Sequence, residues 1–106
     1  MKLDKAILRV FEVQAKPGKA GLLKQKLADT SVSVVKGQPG NLGYFFGEDL
    51  TSNKDDLVFI SIWKDLESIK SYFGEDWEES YLPQGYDEII ERCSIRHIEF
   101  DGCLDQ

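Results

Sequence analysis

The chain has one histidine, one methionine, two cysteines and three prolines among its 106 residues. Each scarcity closes off a class of chemistry. Cys93 and Cys103 belong to no CxxC pair and no Cys/His cluster, so the spacing of a zinc site is missing. With extended chain between them they lie roughly 33 Å apart, too far for a disulfide. That fits a reducing compartment. They read as packing and tail residues. A lone histidine without a nucleophile elbow does not make a Ser/His/Asp triad. The acidic runs Glu48-Asp49, Asp55-Asp56 and 75–79 contain no D-x-D-x-D-G loop, so they read as solvated loops. Gly40 and Gly43 are too few for a phosphate cradle; they shape the backbone, with Gly43 placed for close packing or a bulge. No Lys/Arg patch offsets the net charge of −6, which opposes binding to nucleic acid or an anionic membrane surface. No apolar run is long enough to span a bilayer. The first strand is interrupted by Arg9 and Glu12 and is followed by no small-residue cleavage site, unlike a signal peptide. The expected location is the cytoplasm.

What remains is an ordinary globular composition, 42% hydrophobic and 30% charged, sized for one domain over residues 1–106. Aromatic residues make up 11%, enough for an aromatic-lined core or pocket. Residues 5–14 alternate as a strand with Ile7, Phe11 and Val13 on one face and Leu8 and Val10 on the other. Pro17-Gly18 breaks it. Residues 18–36 follow with Leu23, Leu27 and Val34 at helical spacing, although the SVSVV run favours extended backbone. Residues 41–48 and 57–63 read as an antiparallel hairpin around a polar loop. Asp65 is placed to cap a helix over 66–74. Residues 75–92 are interrupted by Pro83 and Gly85, yet Tyr86, Ile89 and Ile90 fit a short helix. Residues 93–100 make the last strand. The order is βαββαβ, the α+β ferredoxin-like pattern, with helices on one sheet face. Apolar residues on both faces of the first and third strands predict that the other face meets a second copy, giving a homodimer.

The stretches PGK, GQPGNLGYFFGE and VFISIWKDLESIKSYF, in this order and spacing, resemble the antibiotic-biosynthesis monooxygenase family. The likeness runs from about Ile7 to Phe100. It implies a dimeric α/β barrel with a pocket between sheet and helices. It also implies several activities: oxidation of aromatics by O₂ without metal or flavin, haem ring opening, or no known reaction. The Trp that ends the third strand lines the pocket in many members, and Trp63 matches it. Haem-degrading members use an Asn in the first strand and a His on the helix after that Trp. Here the first strand offers Arg9 and Glu12, and residues 65–82 hold no histidine, which counts against haem.

The candidate site residues each carry a second, structural reading. His97 in the last strand is a base for a phenol or quinol, or a packed strand residue. Arg9 stabilises a substrate oxyanion, or is an interface charge; buried, it needs a partner such as Glu99 or an anion. Trp63, Tyr72, Trp77 and Tyr81 are pocket wall, with the last two on a lid, or they are core and barrel-end residues. The expected activity is a cofactor-independent, metal-free monooxygenase acting on a small planar electron-rich aromatic. The alternative is a non-catalytic dimer that binds a small ligand or serves as an accessory protein.

Overall fold

The computed structural model describes residues 5–51 and 55–101. Cys103 lies outside them. The elements run β1 (Ile7–Ala15), α1 (Ala20–Lys26), a π-helical turn (Leu27–Ser31), α2 (Val32–Val35), β2 (Asn41–Glu48), β3 (Asp56–Trp63), α3 (Leu66–Phe73), a 3₁₀ turn (Gly74–Asp76) and β4 (Ile90–Glu99). The four strands form one antiparallel sheet in the order β2-β3-β1-β4. This is the ferredoxin-like fold that the element order predicts.

Register decides which side chains meet. Alternation puts Ile7, Arg9, Phe11, Val13 and Ala15 of β1 on one face. All five are buried, and the apolar four pack with Leu23, Leu27, Val35 and Ile69 from the helices. The opposite face carries Leu8 and Val10 of β1, Ile60 and Ile62 of β3, Phe45 of β2 and Ile98 of β4. No described element covers it, and Phe45 is 53% exposed. Between β2 and β3 the register shifts at Asn41/Gly43, so Gly43 does mark a bulge.

The SVSVV run stays helical, against its β-branched preference. Leu27 and Val35 are fully enclosed in the core, and packing overrides propensity there. The wide turn at Leu27–Ser31 brings Ser31 inward beside Tyr86. The Tyr86 hydroxyl donates to the Lys26 carbonyl at 2.9 Å, so Ser31 Oγ donates to Tyr86 at 2.7 Å. Asp65 caps α3 as expected, accepting from the Ser68 amide at 2.8 Å.

One expected element is absent. Tyr86, Ile89 and Ile90 do not form a helix. The Tyr86 carbonyl accepts from the amides of both Ile89 and Ile90, which closes one turn only, and β4 starts directly at Ile90. Pro83, followed by Gly85 at φ 93, prevents any helix from entering this turn. The three apolar residues share a face because the turn lies over the core, where all are buried.

Candidate active site

The site grows from one ladder across the sheet. Tyr44 pairs with Ser61, Ser61 with Arg9, and Arg9 with His97. All four positions lie on the helix-facing side. Arg9 is only 5% exposed, on an inner strand, among Phe11, Phe59 and Phe73. Its guanidinium carbon lies over the Phe73 ring, 3.8 Å from the centroid.

A cation this deep normally meets a carboxylate. The expected partner, Glu99, does not reach it, nor does any other described carboxylate within 4.0 Å. Arg9 Nη1 donates instead to the Trp77 carbonyl at 2.6 Å and to His97 Nε2 at 2.9 Å, and Nη2 donates to the Glu79 carbonyl at 3.2 Å. Three of five N–H donors are thus engaged with neutral groups. Burial lowers the Arg9 pKa to about 10, so it stays charged at neutral pH.

These bonds fix the state of His97. A guanidinium cannot accept a hydrogen bond, so Nε2 must be the acceptor and Nδ1 carries the proton. Desolvation, and then the Arg9 charge, lower the His97 pKa to about 4. The imidazole is neutral. The expectation of a base working near neutral pH meets this geometry badly, since the lone pair it would use already faces Arg9. The Trp77 ring packs edge-on against His97 with centroids 5.0 Å apart.

Beside Arg9 lies a cavity of about 40 Å³. The sheet supplies Phe11, Phe59, Ser61 and Ile95; the first helical segment supplies Ser31, Val34 and Val35; Phe73, Tyr81 and Pro83 complete it. Trp63 stands outside this lining. It is 0% exposed, its indole N–H donates to Ser61 Oγ at 2.9 Å, and its ring packs against Tyr72 and Phe73. It therefore acts on the cavity through Ser61 and Phe73. Tyr72 also stands outside this lining and donates its hydroxyl proton to the Val34 carbonyl, tying α3 to α2. Burial raises its phenol pKa further. Tyr81 is 56% exposed and lines the opening. Trp77 contributes its carbonyl to Arg9. Phe73 and Ser31 escaped the sequence reading: Phe73 looks like any core aromatic, and Ser31 turns inward only through the π-helical turn. Among the described residues no group of three His, Cys, Asp or Glu is placed to hold a metal ion. No described helix is long and apolar enough to cross a membrane.

The family model for antibiotic biosynthesis monooxygenases matches residues 6–76. The chain belongs to that family. The match takes in Arg9, Ser61, Trp63 and Phe73 and ends before Trp77, Tyr81 and His97. No curated protein sequence matches the chain. Solved structures share its fold. One is an antibiotic biosynthesis monooxygenase described as putative, from Deinococcus radiodurans, 16% identical with a TM-score of 0.73, covering 94% of this chain and 97% of its own. SnoaB, a cofactor-independent oxygenase from Streptomyces nogalater, is 11% identical with a TM-score of 0.72, covering 96% and 99%. A protein of unknown function from Nitrosomonas europaea is 12% identical with a TM-score of 0.74, covering 97% and 96%. The family's scaffold is thus shared by proteins with and without an assigned reaction.

Proposed function

We propose that this family member is a cofactor-independent monooxygenase that oxidises a small, electron-rich hydroxyaromatic with O₂. The observation that carries the reading is the buried Arg9 guanidinium, with no described carboxylate beside it, at an aromatic-lined cavity. A cation there favours the ionised form of a substrate hydroxyl. The resulting phenolate is electron-rich enough to pass one electron to O₂. The radical pair then forms a carbon–oxygen bond at a ring C–H. Loss of water from that hydroperoxide leaves a quinone, so one phenol and one O₂ give one quinone and one H₂O. Arg9 holds the oxyanion throughout. His97 serves as the positioning residue that fixes the Arg9 plane, rather than as the base. Phe73 and Tyr81 flank the ring and exclude water; Trp63 and Tyr72 support Phe73 from behind, and Trp77 packs on His97.

The working unit we propose is a cytoplasmic homodimer joined through the open sheet face. Leu8, Val10, Phe45, Ile60, Ile62 and Ile98 give it an apolar centre, and the Glu12–Arg96 ion pair at 3.0 Å lies on the same face. Oxygen uptake against a panel of hydroxynaphthalenes and anthrones tests the reaction. Uptake that depends on protein and falls at least about tenfold in Arg9→Gln supports it. A second reading, a ligand-binding dimer without turnover, draws on the cavity's small volume. It wins if ligands bind and no oxygen is consumed.

A further inference from the structure

The cavity as it stands is too small for its proposed ligand. An engineered protein cavity that binds benzene measures about 150 Å³, against about 40 Å³ here. Something must yield before an aromatic ring enters. Most of the wall comes from the sheet and from the first helical segment, which are locked by ladders and core packing. Tyr81 and Pro83 come from residues 77–86, which have no helix or strand. Among the described residues, the backbone amide bonds of this strap stay local: Trp77 to Gly74, Glu79 to Asp76 and Tyr86 to Pro83. Glycines at φ 79 (Gly74) and φ 93 (Gly85) bracket it. What ties its middle to the sheet by hydrogen bonds is Arg9, through the carbonyls of Trp77 and Glu79.

Those carbonyls are neutral partners for a buried cation. Their bonds to Arg9 carry one charge, whereas an anion adds direct attraction between opposite charges in a poorly solvated site. An anion entering the cavity therefore outcompetes the strap for the same donors. We propose that this site takes a planar aromatic carrying one anionic oxygen group, a carboxylate or an ionised hydroxyl. The anion takes over the Arg9 donors now given to Trp77 and Glu79, and the strap over residues 77–84 is released as the ligand seats. This rests on the cavity being the substrate site. It adds the ligand's charge and the way in.

The test compares 2-naphthoate with its neutral isostere 2-naphthamide by calorimetry, on the full chain. The carboxylate binds about tenfold or more tightly to the wild type. In Arg9→Gln, checked for folding by circular dichroism, that preference disappears. Hydrogen exchange in residues 78–84 speeds up with naphthoate and not with naphthamide. A third arm uses 2-naphthol, whose absorbance shows it bound as naphtholate at pH 7.5 if an ionised hydroxyl suffices; bound as neutral naphthol, it narrows the ligand to carboxylates. Equal affinity for naphthoate and naphthamide in the wild type, or no binding of either, overturns the proposal without recourse to any variant. Slower exchange in the strap on naphthoate binding overturns the latch. No arm requires turnover, so a charge preference without oxygen uptake sinks the monooxygenase reading alone.

Discussion

Replacing Arg9 with methionine is expected to make the protein more stable while abolishing anion binding. The depression of the Arg9 pKa to about 10 comes from desolvation. At about 1.4 kcal/mol per pH unit it represents roughly 3 kcal/mol held against the folded, charged state. The sign follows from linkage. Below about pH 10 the guanidinium is protonated in both folded and unfolded chains, so the cost is present in full at neutral pH. It fades only as pH rises above the folded value. Methionine removes that cost and keeps an unbranched apolar side chain over Phe73. The change also loses three hydrogen bonds and the ring contact. Trp77 and Glu79 lie near the surface, where water replaces Arg9 at their carbonyls at little cost. The net gain should be about 1–2 kcal/mol, in line with other buried charges replaced by apolar residues.

Urea denaturation at fixed protein concentration reads this directly, because a self-associating chain gains stability with concentration. With a slope of about 1–3 kcal/mol per molar, the midpoint should rise by roughly 0.3–2 M. The gain should be flat between pH 7 and 9. A loss of more than about 1 kcal/mol would refute the reasoning. It would mean that the Arg9 bonds to the strap are structural and that the charge is not held in reserve for a ligand.

Further outcomes follow from other residues. His97 is the single histidine, so one proton NMR signal reports it; it should titrate near pH 4, and a midpoint near 6.5 would remove Arg9 and burial as its neighbours. Because its folded pKa is depressed, its contribution to stability is complete above about pH 6.5 and is lost as pH falls toward 4, and His97→Phe should flatten that slope in acid titrations followed by circular dichroism. Trp63→Ala removes a fully buried ring and should cost about 3–5 kcal/mol in urea unfolding; a loss under 1 kcal/mol would show that Trp63 is not core. Gly40→Ala places a Cβ 2.2 Å from Ser68 Oγ at φ 87 and should lower the thermal midpoint by several degrees, with Gly40→Ala/Ser68→Gly recovering part of it. Ile98→Glu on the open sheet face should turn a dimer into a monomer in analytical ultracentrifugation, and a wild type already monomeric at high concentration would remove the proposed interface.

The fold was legible because periodicity and punctuation agree along most of the chain. Strand alternation in 5–14 and 57–63, the Asp65 cap and the breaks at Pro17-Gly18 and Pro39-Gly40 all point to one element order. The stretch 77–90 resisted for a physical reason. A single turn lying over a core produces the same i, i+3, i+4 apolar spacing as a helix, and only the backbone distinguishes them. Arg9 and His97 were visible as candidates because each is a rare type inside an apolar strand. Their contact was not visible, since it depends on the antiparallel register of β1 with β4, and a slip of one residue would have put them on opposite faces. The same contact changes the role of His97. A histidine read alone looks titratable near neutrality; facing a guanidinium on the next strand, it is held neutral and becomes an acceptor.

The site is therefore built from two halves of different character. Arg9, Ser61 and Phe73 sit on β1, β3 and α3, within the part of the chain that the family model matches. They fix a cation, a hydroxyl and an aromatic floor, which is what the proposed oxidation of an electron-rich ring anion asks of a site. Tyr81 and Pro83 lie on the strap beyond the match and close the remaining side, while Trp77, also on the strap, bonds Arg9 through its carbonyl. Exchanging strap residues should change which aromatic fits while leaving the need for the Arg9 charge intact. A buried cation with only neutral partners among the described residues lowers stability, and a chain under selection for stability alone would replace it. Its presence on an inner strand is most simply understood if its charged partner is the ligand, and the strap's carbonyls hold the place until that ligand arrives.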